Sequence, residues 1–521
     1  MELTFSPQTT IFISFALLYL LIFLLRRKPN KISGAAPHGF RFYPLIGTLP
    51  DFIRNRHRFL EWTTGVLARC PTNTAVFRRP GKIHGVITAN PLVVEHMLKS
   101  HFENFPKGAR FRFLLQDFLG TGIFNSDGEL WKIQRKTASY EFNTKSLRNF
   151  VMENVVFELK SRLVPVLESS AKTDRVLDFQ DILERFAFDN LCKVAFDVDP
   201  SCLGGDGTVG SEFMRAFDEA SNLSSGRFMY ALPSIFSIKK FFDLGSEKNL
   251  RLSIAKVHEF ADRIIRTRME DDEKIGKKGE DLLSRFIINS NVEKSTSPEF
   301  LRDIVISFIL AGRDTTSSAL SWFFWLLSSK PDVEHKILQE LEKIRGQNGK
   351  STGGRGTYYY TFDELREMHY LHAAISEAMR LYPPVPVDTK ACLKDDMLPD
   401  GTFIGKGWFI SYDTYAMGRM ESIWGEDCCE FKPERWIEEN GVCRQESPFK
   451  YPVFHAGPRM CLGKDMAFIQ MKSIAACVLE RFSVDVLLEK GKCPEYLLSL
   501  TLRIKGGLPV KIKERNVFSV K

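Results

Sequence analysis

The residues best suited to chemistry lie in Phe454 to Gly463, F-H-A-G-P-R-M-C-L-G. The segment reads as a glycine-containing turn that delivers one cysteine, Cys461, to the start of a helix running from Gly463 to about Arg481. A helix N-terminus offers free N–H groups and the positive end of a dipole. Both favour thiolate over thiol, so the expectation is a lowered Cys461 pKa. Gly457 and Gly463 allow backbone to approach a flat, bulky group, and Arg459 is placed to meet a carboxylate on its edge. An anionic sulfur presented in this way suits iron. The plain alternative is an inert, buried cysteine.

A second constellation, A-G-R-D-T-T at Ala311 to Thr316, lies in the middle of an apolar helical pattern. Small residues, an acid and two hydroxyls are out of place on such a helix. Thr315 and Thr316 can bond back to the backbone and bend it, so the motif is either a tolerated kink or a place for polar chemistry. A third pair, Glu377 and Arg380, falls three residues apart on one helix face. An exposed pair would contribute less than about 1 kcal/mol. The flanking Ala373, Ala374, Ala378 and Leu381 mark the face as buried, and a buried pair needs a third partner. Arg435, in Pro433-Glu434-Arg435-Trp436, is the candidate.

The elements that position these residues are mostly helical from about Leu60 onward, with strand-like pieces near Thr74 to Ile87 and between Val385 and Ile410. The longest helix begins at Ser297-Pro298-Glu299, which supplies a capping serine, a first-turn proline and an early acid. It runs to about Ser329 before Lys330-Pro331, and thirty-odd residues span about 50 Å. Thr361-Phe362-Asp363-Glu364 has capping-box spacing, and a following helix ends at Leu381 before Pro383-Pro384. Gly346 to Tyr360 and Ser201 to Gly210 read as loops.

At the N-terminus, Thr10 to Leu25 is uncharged and apolar, with Glu2 before it and Arg26, Arg27 and Lys28 after it. These flanks favour an uncleaved membrane anchor at 1–28 over a cleaved signal peptide. The positive-inside rule then puts the remainder in the cytosol. Residues 29–47 read as a proline-punctuated hinge, and 48–521 as one catalytic domain. Composition adds bounds. The chain has 521 residues and 43 Phe against 13 Tyr, which suits apolar pockets. Its net charge of +8 is spread without a long basic run, so nucleic acid is not an expected partner. None of the ten cysteines forms a CxxC pair, which argues against a zinc ribbon, and a disulfide framework is not expected.

The segment F-x-x-G-x-R-x-C-x-G resembles the haem-binding signature of the cytochrome P-450 family. A-G-R-D-T-T, E-A-M-R at Glu377 to Arg380, and W-x-x-x-R at Trp131 to Arg135 resemble three further family motifs, in the family's order. The resemblance covers roughly Pro37 to Leu508. It implies a mainly α fold, helix-rich with small β-sheets, holding haem b between the long central helix and the Cys-bearing loop. Cys461 would then be the iron ligand. Trp131, Arg135 and Arg459 would bond the haem propionates, with Lys390 either a fourth contact or an ordinary surface lysine. Glu377, Arg380 and Arg435 would form a structural triad, while Thr315 and Asp314 would manage oxygen and protons. No nucleotide-binding glycine loop is present, so electrons would come from an NADPH–cytochrome P-450 reductase, with Lys132, Lys136 and Lys464 meeting its acidic face.

AGRDTTSSALSWFFWL, RLYPPVPVDTK and FHAGPRMCLGKDMAF are similar to the plant fatty-acid ω-hydroxylase branch. That implies a monooxygenase of the endoplasmic reticulum membrane acting at or near a terminal carbon of an apolar, lipid-like substrate. The substrate would be a fatty acid, or alternatively a sterol side chain or a jasmonoyl-amino-acid conjugate. Phe111 to Phe124 would line the pocket, with Arg112 either meeting a carboxylate or facing solvent. Readings of a different class are a haem-thiolate isomerase or dehydratase, and a non-enzymatic haem protein. The paired Asp314-Thr315 weighs against the isomerase.

Overall fold

The computed structural model describes residues 39–515, apart from 82, 141, 143–149, 205–209, 233, 276–280, 294–296, 348–358 and 490–491. The expected anchor at 1–28, the first part of the hinge, and parts of both glycine-rich loops lie outside the described residues. Among the described residues, no helix is long and apolar enough to cross a membrane.

The protein is 61% helical with small sheets, the mainly α architecture expected. Seven helices matter to the site: α1 (Gly108–Leu119), α2 (Gly128–Ser139), α3 (Phe179–Phe196), α4 (Pro298–Ile309), α5 (Thr315–Leu327), α6 (His369–Leu381) and α7 (Lys464–Arg481). Four strands build the largest sheet: β1 (Thr74–Arg79), β2 (Ile83–Thr88), β3 (Val387–Ala391) and β4 (Phe409–Asp413), in the order β1-β2-β4-β3. β1 and β2 form an antiparallel hairpin, β2 runs parallel to β4 with Gly85 opposite Phe409, and β4 pairs antiparallel with β3. The parallel pairing is non-local, because nearly the whole helical body separates β2 from β4 in sequence.

The central helix starts where its capping residues direct. The Ser297 hydroxyl accepts from the Phe300 N–H at 3.4 Å, and Pro298 takes the first turn. It is not one regular helix. Leu310–Asp314 forms a wide π-turn between α4 and α5. π-bulges of this kind store a local departure from the i to i+4 ladder and recur at functional sites. Thr361 caps the next short helix through the reciprocal box: its N–H donates to Glu364 at 2.7 Å, and its hydroxyl accepts from the Glu364 N–H at 3.4 Å.

Two large apolar clusters hold the body. One gathers α5, α6 and α7 through Leu320, Phe323, Ile375, Ala378, Ile474 and Val478. The other gathers α1, α3 and α4 through Leu115, Phe118, Phe188, Ile304, Val305 and Ile309. Burying each large side chain contributes about 1.5–3 kcal/mol. Trp322 on α5 is fully buried, stacks on Tyr382 at 4.1 Å, and donates its indole N–H to the Leu502 carbonyl at 3.0 Å. That bond satisfies the one polar atom of an otherwise apolar anchor. It ties α5 to the C-terminal segment.

Candidate active site

The two clusters meet at a cavity of about 540 Å³. This lies in the ordinary range for a small-molecule site. Its wall includes Leu115 and Leu119 from one cluster and Ala319, Met379 and Met471 from the other. The π-turn and the Cys461 loop both line it, as do Trp131, Arg135, Lys390, Arg459 and Thr315.

Cys461 is set by backbone. Its N–H donates to the Phe454 carbonyl at 2.8 Å, and the Met460 N–H donates to Gly457 at 3.0 Å. Gly457 has φ +64°, and a Cβ there would lie 2.0 Å from the Leu98 carbonyl oxygen. The space a side chain would need there is taken by the Leu98 backbone. A Cβ on Gly463 would point toward Phe142 at 3.4 Å and the Cys461 sulfur at 4.0 Å. The sulfur is open to the cavity while protein surrounds it. Burial pushes the thiol up, against the Gly463 N–H, Arg135 and Lys464, which pull it down. The expected depression by the helix start alone is thus corrected: at this depth desolvation outweighs the N–H and the two cations. A bound cation would reverse that balance, since a metal deprotonates the thiol it coordinates.

On the α4–α5 side, the Thr315 hydroxyl donates to the Ala311 carbonyl at 2.6 Å, the back-bond that a bent helix allows. Gly312 lets the turn lie against α3, where a Cβ would meet Leu191 at 2.6 Å. Asp314 is not part of the cavity wall. It is buried, and its carboxylate accepts from Arg313 at 2.9 Å. Arg313 also donates to Glu184 at 3.1 Å and Asp218 at 2.7 Å, and Arg503 bonds the same two acids. Burial raises the Asp314 pKa, with Arg313 opposing.

Arg459 stacks its guanidinium 4.3 Å from the Trp131 ring centroid and bonds Asp127 at 2.7 Å and the Ser126 carbonyl at 3.0 Å. Arg135 pairs with no carboxylate among the described residues, and burial lowers its pKa. Lys390 is not a surface lysine: it is 1% exposed and donates to Asp388 at 2.9 Å. Lys107 reaches the same carboxylate at 2.7 Å, and Tyr412 donates to it at 3.3 Å. Burial alone would raise Asp388, but Lys107, Lys390 and His455 outweigh it and hold it well below the usual range. His455 lies 3.2 Å from Lys390, and burial together with Lys390 pushes it down to about 4. Lys107, Asp388 and His455 were missed from sequence. Only the alternation of β3 and the position of His455 inside the cysteine motif hinted at them.

Glu377, Arg380 and Arg435 do come together. Arg380 donates to Glu377 at 2.7 and 2.8 Å, Arg435 at 3.2 Å and the Trp436 indole at 2.9 Å. Arg380 also reaches the carbonyls of Gly418, Cys428 and Glu430. The Tyr451 hydroxyl donates to the Ser376 carbonyl at 2.9 Å, which links this buried knot to the approach of the cysteine loop. Phe111, Leu115, Leu119, Ile123 and Phe124 line the cavity as expected of that segment, but Arg112 does not: it is exposed and 3.7 Å from Asp127. The alternative of a solvent-facing Arg112 therefore holds.

These residues fit a haem. A soft sulfur donor opens into a mainly apolar cavity, and guanidinium and indole N–H groups stand at its margin, among them Arg135, which meets no carboxylate among the described residues. This donor set and surroundings define a haem-thiolate protein. The cytochrome P450 profile matches residues 37–510, and the chain belongs to that family. It is 51% identical over 493 residues to Cytochrome P450 CYP94D108 of Paris polyphylla, covering 94% of each chain. It is 46% identical over 482 residues to Cytochrome P450 94A1 of Vicia sativa, covering 91% of this chain and 90% of the other. It is also 46% identical over 461 residues to Cytochrome P450 94C1 of Arabidopsis thaliana, covering 88% and 89%. The protein is accordingly a haem-thiolate monooxygenase that takes its electrons from an NADPH-dependent reductase and acts on a lipophilic substrate.

Proposed function

We propose that the protein hydroxylates the aliphatic chain of a fatty acid or a related lipid at or near its terminal carbon. The observation that carries this reading is the continuity of one apolar cavity. Phe52, Phe77, Phe111 and Phe124 line it together with Cys461 and Thr315, an apolar wall suited to an alkyl chain.

In this reading Cys461 holds the iron, and Trp131, Arg135 and Arg459 meet the cofactor's carboxylates, with Lys390 acting through its bond to Asp388. Haem, when bound, supplies the activation of dioxygen. Thr315 presents its hydroxyl to the cavity and passes a proton there once its bond to Ala311 is released. Asp314 serves Thr315 as proton source only when its pairing with Arg313 opens. Glu377, Arg380 and Arg435 stabilise the fold behind the loop. Apolar walls exclude water from the reacting carbon. We further propose that residues 1–28 anchor the chain in the endoplasmic reticulum membrane, that 29–47 act as hinge, and that 48–521 form one catalytic domain facing the cytosol.

The test is turnover by membranes containing the full chain and its reductase, with a fatty acid, a sterol and a jasmonoyl-amino-acid conjugate offered separately and products identified by mass. A terminally or subterminally hydroxylated fatty acid is expected. Exclusive turnover of the sterol would overturn the reading.

A further inference from the structure

Five cationic side chains line the cavity beside Arg135, and they fall into two groups. Lys107 and Lys390 share Asp388 at 2.7 and 2.9 Å, and Arg459 bonds Asp127 at 2.7 Å. Arg79 and Arg110 have no such partner among the described residues. Arg79 is the last residue of β1, is 8% exposed, and packs its guanidinium 3.9 Å from the Phe52 ring centroid. Its Nε and Nη1 are buried without a hydrogen-bond acceptor. Arg110 sits in the first turn of α1 with its guanidinium 5.0 Å from the Phe409 ring centroid, and pairs with no acid among the described residues. The two are close enough that burial and the charge of Arg110 together push Arg79 down to about 10.

Two cations side by side in an apolar wall, with no anion to offset them, cost stability. Unsatisfied buried donors of this kind call for an explanation in the ligand. The position is informative as well. In the order β1-β2-β4-β3, Arg79 is on one edge strand and Lys390 on the other. Three strand spacings, about 14 Å, separate those edges. Phenylalanine rings occupy the wall around the pair.

We infer that Arg79 and Arg110 form an anion clamp that binds the carboxylate of a long-chain aliphatic acid, leaving the methyl end of the chain to lie by Thr315 and Cys461. The inference rests on the aliphatic-chain reading above and adds the headgroup chemistry to it. It also accounts for attack at the end of the chain remote from the acid: the clamp fixes the carboxylate, and the length of the chain selects which carbon reaches the reacting centre. The Arg79 guanidinium presents unsatisfied donors at Nε and Nη1, one on each of its two carboxylate-binding edges, and its planar, fixed donors favour arginine over lysine for a carboxylate.

Binding is measured on the purified holoprotein by equilibrium dialysis with radiolabelled dodecanoate, dodecan-1-ol and methyl dodecanoate. Wild type is expected to bind dodecanoate more tightly than its methyl ester, a comparison that needs no variant. Arg79→Gln and Arg110→Gln are each expected to weaken dodecanoate about 10- to 100-fold, and the alcohol far less. Arg79→Lys is expected to recover part of the loss. Equal weakening of acid and alcohol would overturn the clamp, as would a wild type that binds acid and ester alike. A second source of carboxylate is the haem itself. Variants that lose haem, while their haem-loaded fraction keeps its dodecanoate affinity, would assign the pair to the cofactor and overturn the inference. A wild type that binds neither acid, alcohol nor ester would sink the aliphatic-chain reading itself. Tight binding of alcohol and ester without preference for the acid would leave that reading standing and remove the clamp alone.

Discussion

Glu377→Ala is expected to destabilise the protein by about 3–5 kcal/mol, because it leaves a buried cation without its anion. The wild-type carboxylate is fully buried and accepts five hydrogen bonds: two from Arg380, one each from Arg435 and the Trp436 indole, and one from the Lys432 N–H at 3.1 Å. At about 1 kcal/mol net for each bond, complete loss approaches 5 kcal/mol. Two compensations bring the figure toward the lower end. Arg380 keeps the carbonyls of Gly418, Cys428 and Glu430, and Arg435 keeps Asp427 at 2.8 Å. What Arg380 cannot regain is a counter-charge, for its side chain is wholly out of solvent. The assay is urea unfolding of the holoprotein followed by tryptophan fluorescence. Glu377→Gln, which keeps the volume but loses the charge, should fall between wild type and Glu377→Ala. Removing both charges in Glu377→Leu with Arg380→Met should recover part of the loss, since a buried pair replaced by apolar groups is often neutral. A loss under about 1 kcal/mol for Glu377→Ala would refute the reasoning, since it would place the pair in effective contact with water.

Thr315→Ala is expected to cut hydroxylated product and raise hydrogen peroxide release per NADPH consumed; unchanged coupling would remove Thr315 from proton handling. Asp413 is fully buried, and burial raises it to about 6 despite bonds from the Ala416 N–H and Thr63. Its folded pKa lies above the unfolded value, so the folded state holds the extra proton and stability falls as pH rises from about 4 to 6. Relative to Asp413→Asn, wild type should lose on the order of 1–3 kcal/mol across that window, as read from unfolding midpoints; parallel pH curves would contradict this. Lys132 and Lys136 are exposed on α2, and Lys132 meets Glu129 at 2.8 Å. Changing both to Glu should slow reduction by the reductase and flatten its salt dependence, whereas unaltered stopped-flow rates would free that face from the role.

The legible features were those written in consecutive residues. Ser297-Pro298 and Thr361 to Glu364 start helices because their caps act over three residues. The hydroxyl and glycine content of Ala311 to Thr316 announced a bend, and Leu310–Asp314 winds as a π-turn. Glu377 and Arg380 could be paired because helix geometry fixes which face they share. What escaped depended on distant chain segments. Asp388 gathers Lys107 from the residue before α1, Lys390 from β3 and Tyr412 from β4, and no local pattern brings these together. Arg79 is an unremarkable strand residue until Phe52 and Arg110 close over it. Asp314 stands beside Thr315 in sequence, yet the helix turns it toward Arg313 and out of the cavity. The Cys461 pKa was misjudged for a related reason: the helix start is local, but the desolvation that opposes it comes from the whole fold.

The role proposed for the Cys461 sulfur is that of an anionic ligand of haem iron. The direct measurement is the absorption spectrum of the haem-saturated protein, reduced under carbon monoxide, alongside Cys461→His. Wild type should show the far-red-shifted Soret band of thiolate ligation, and the histidine variant a band at shorter wavelength. A wild-type spectrum without that shift, or one left unchanged by the substitution, would contradict the account.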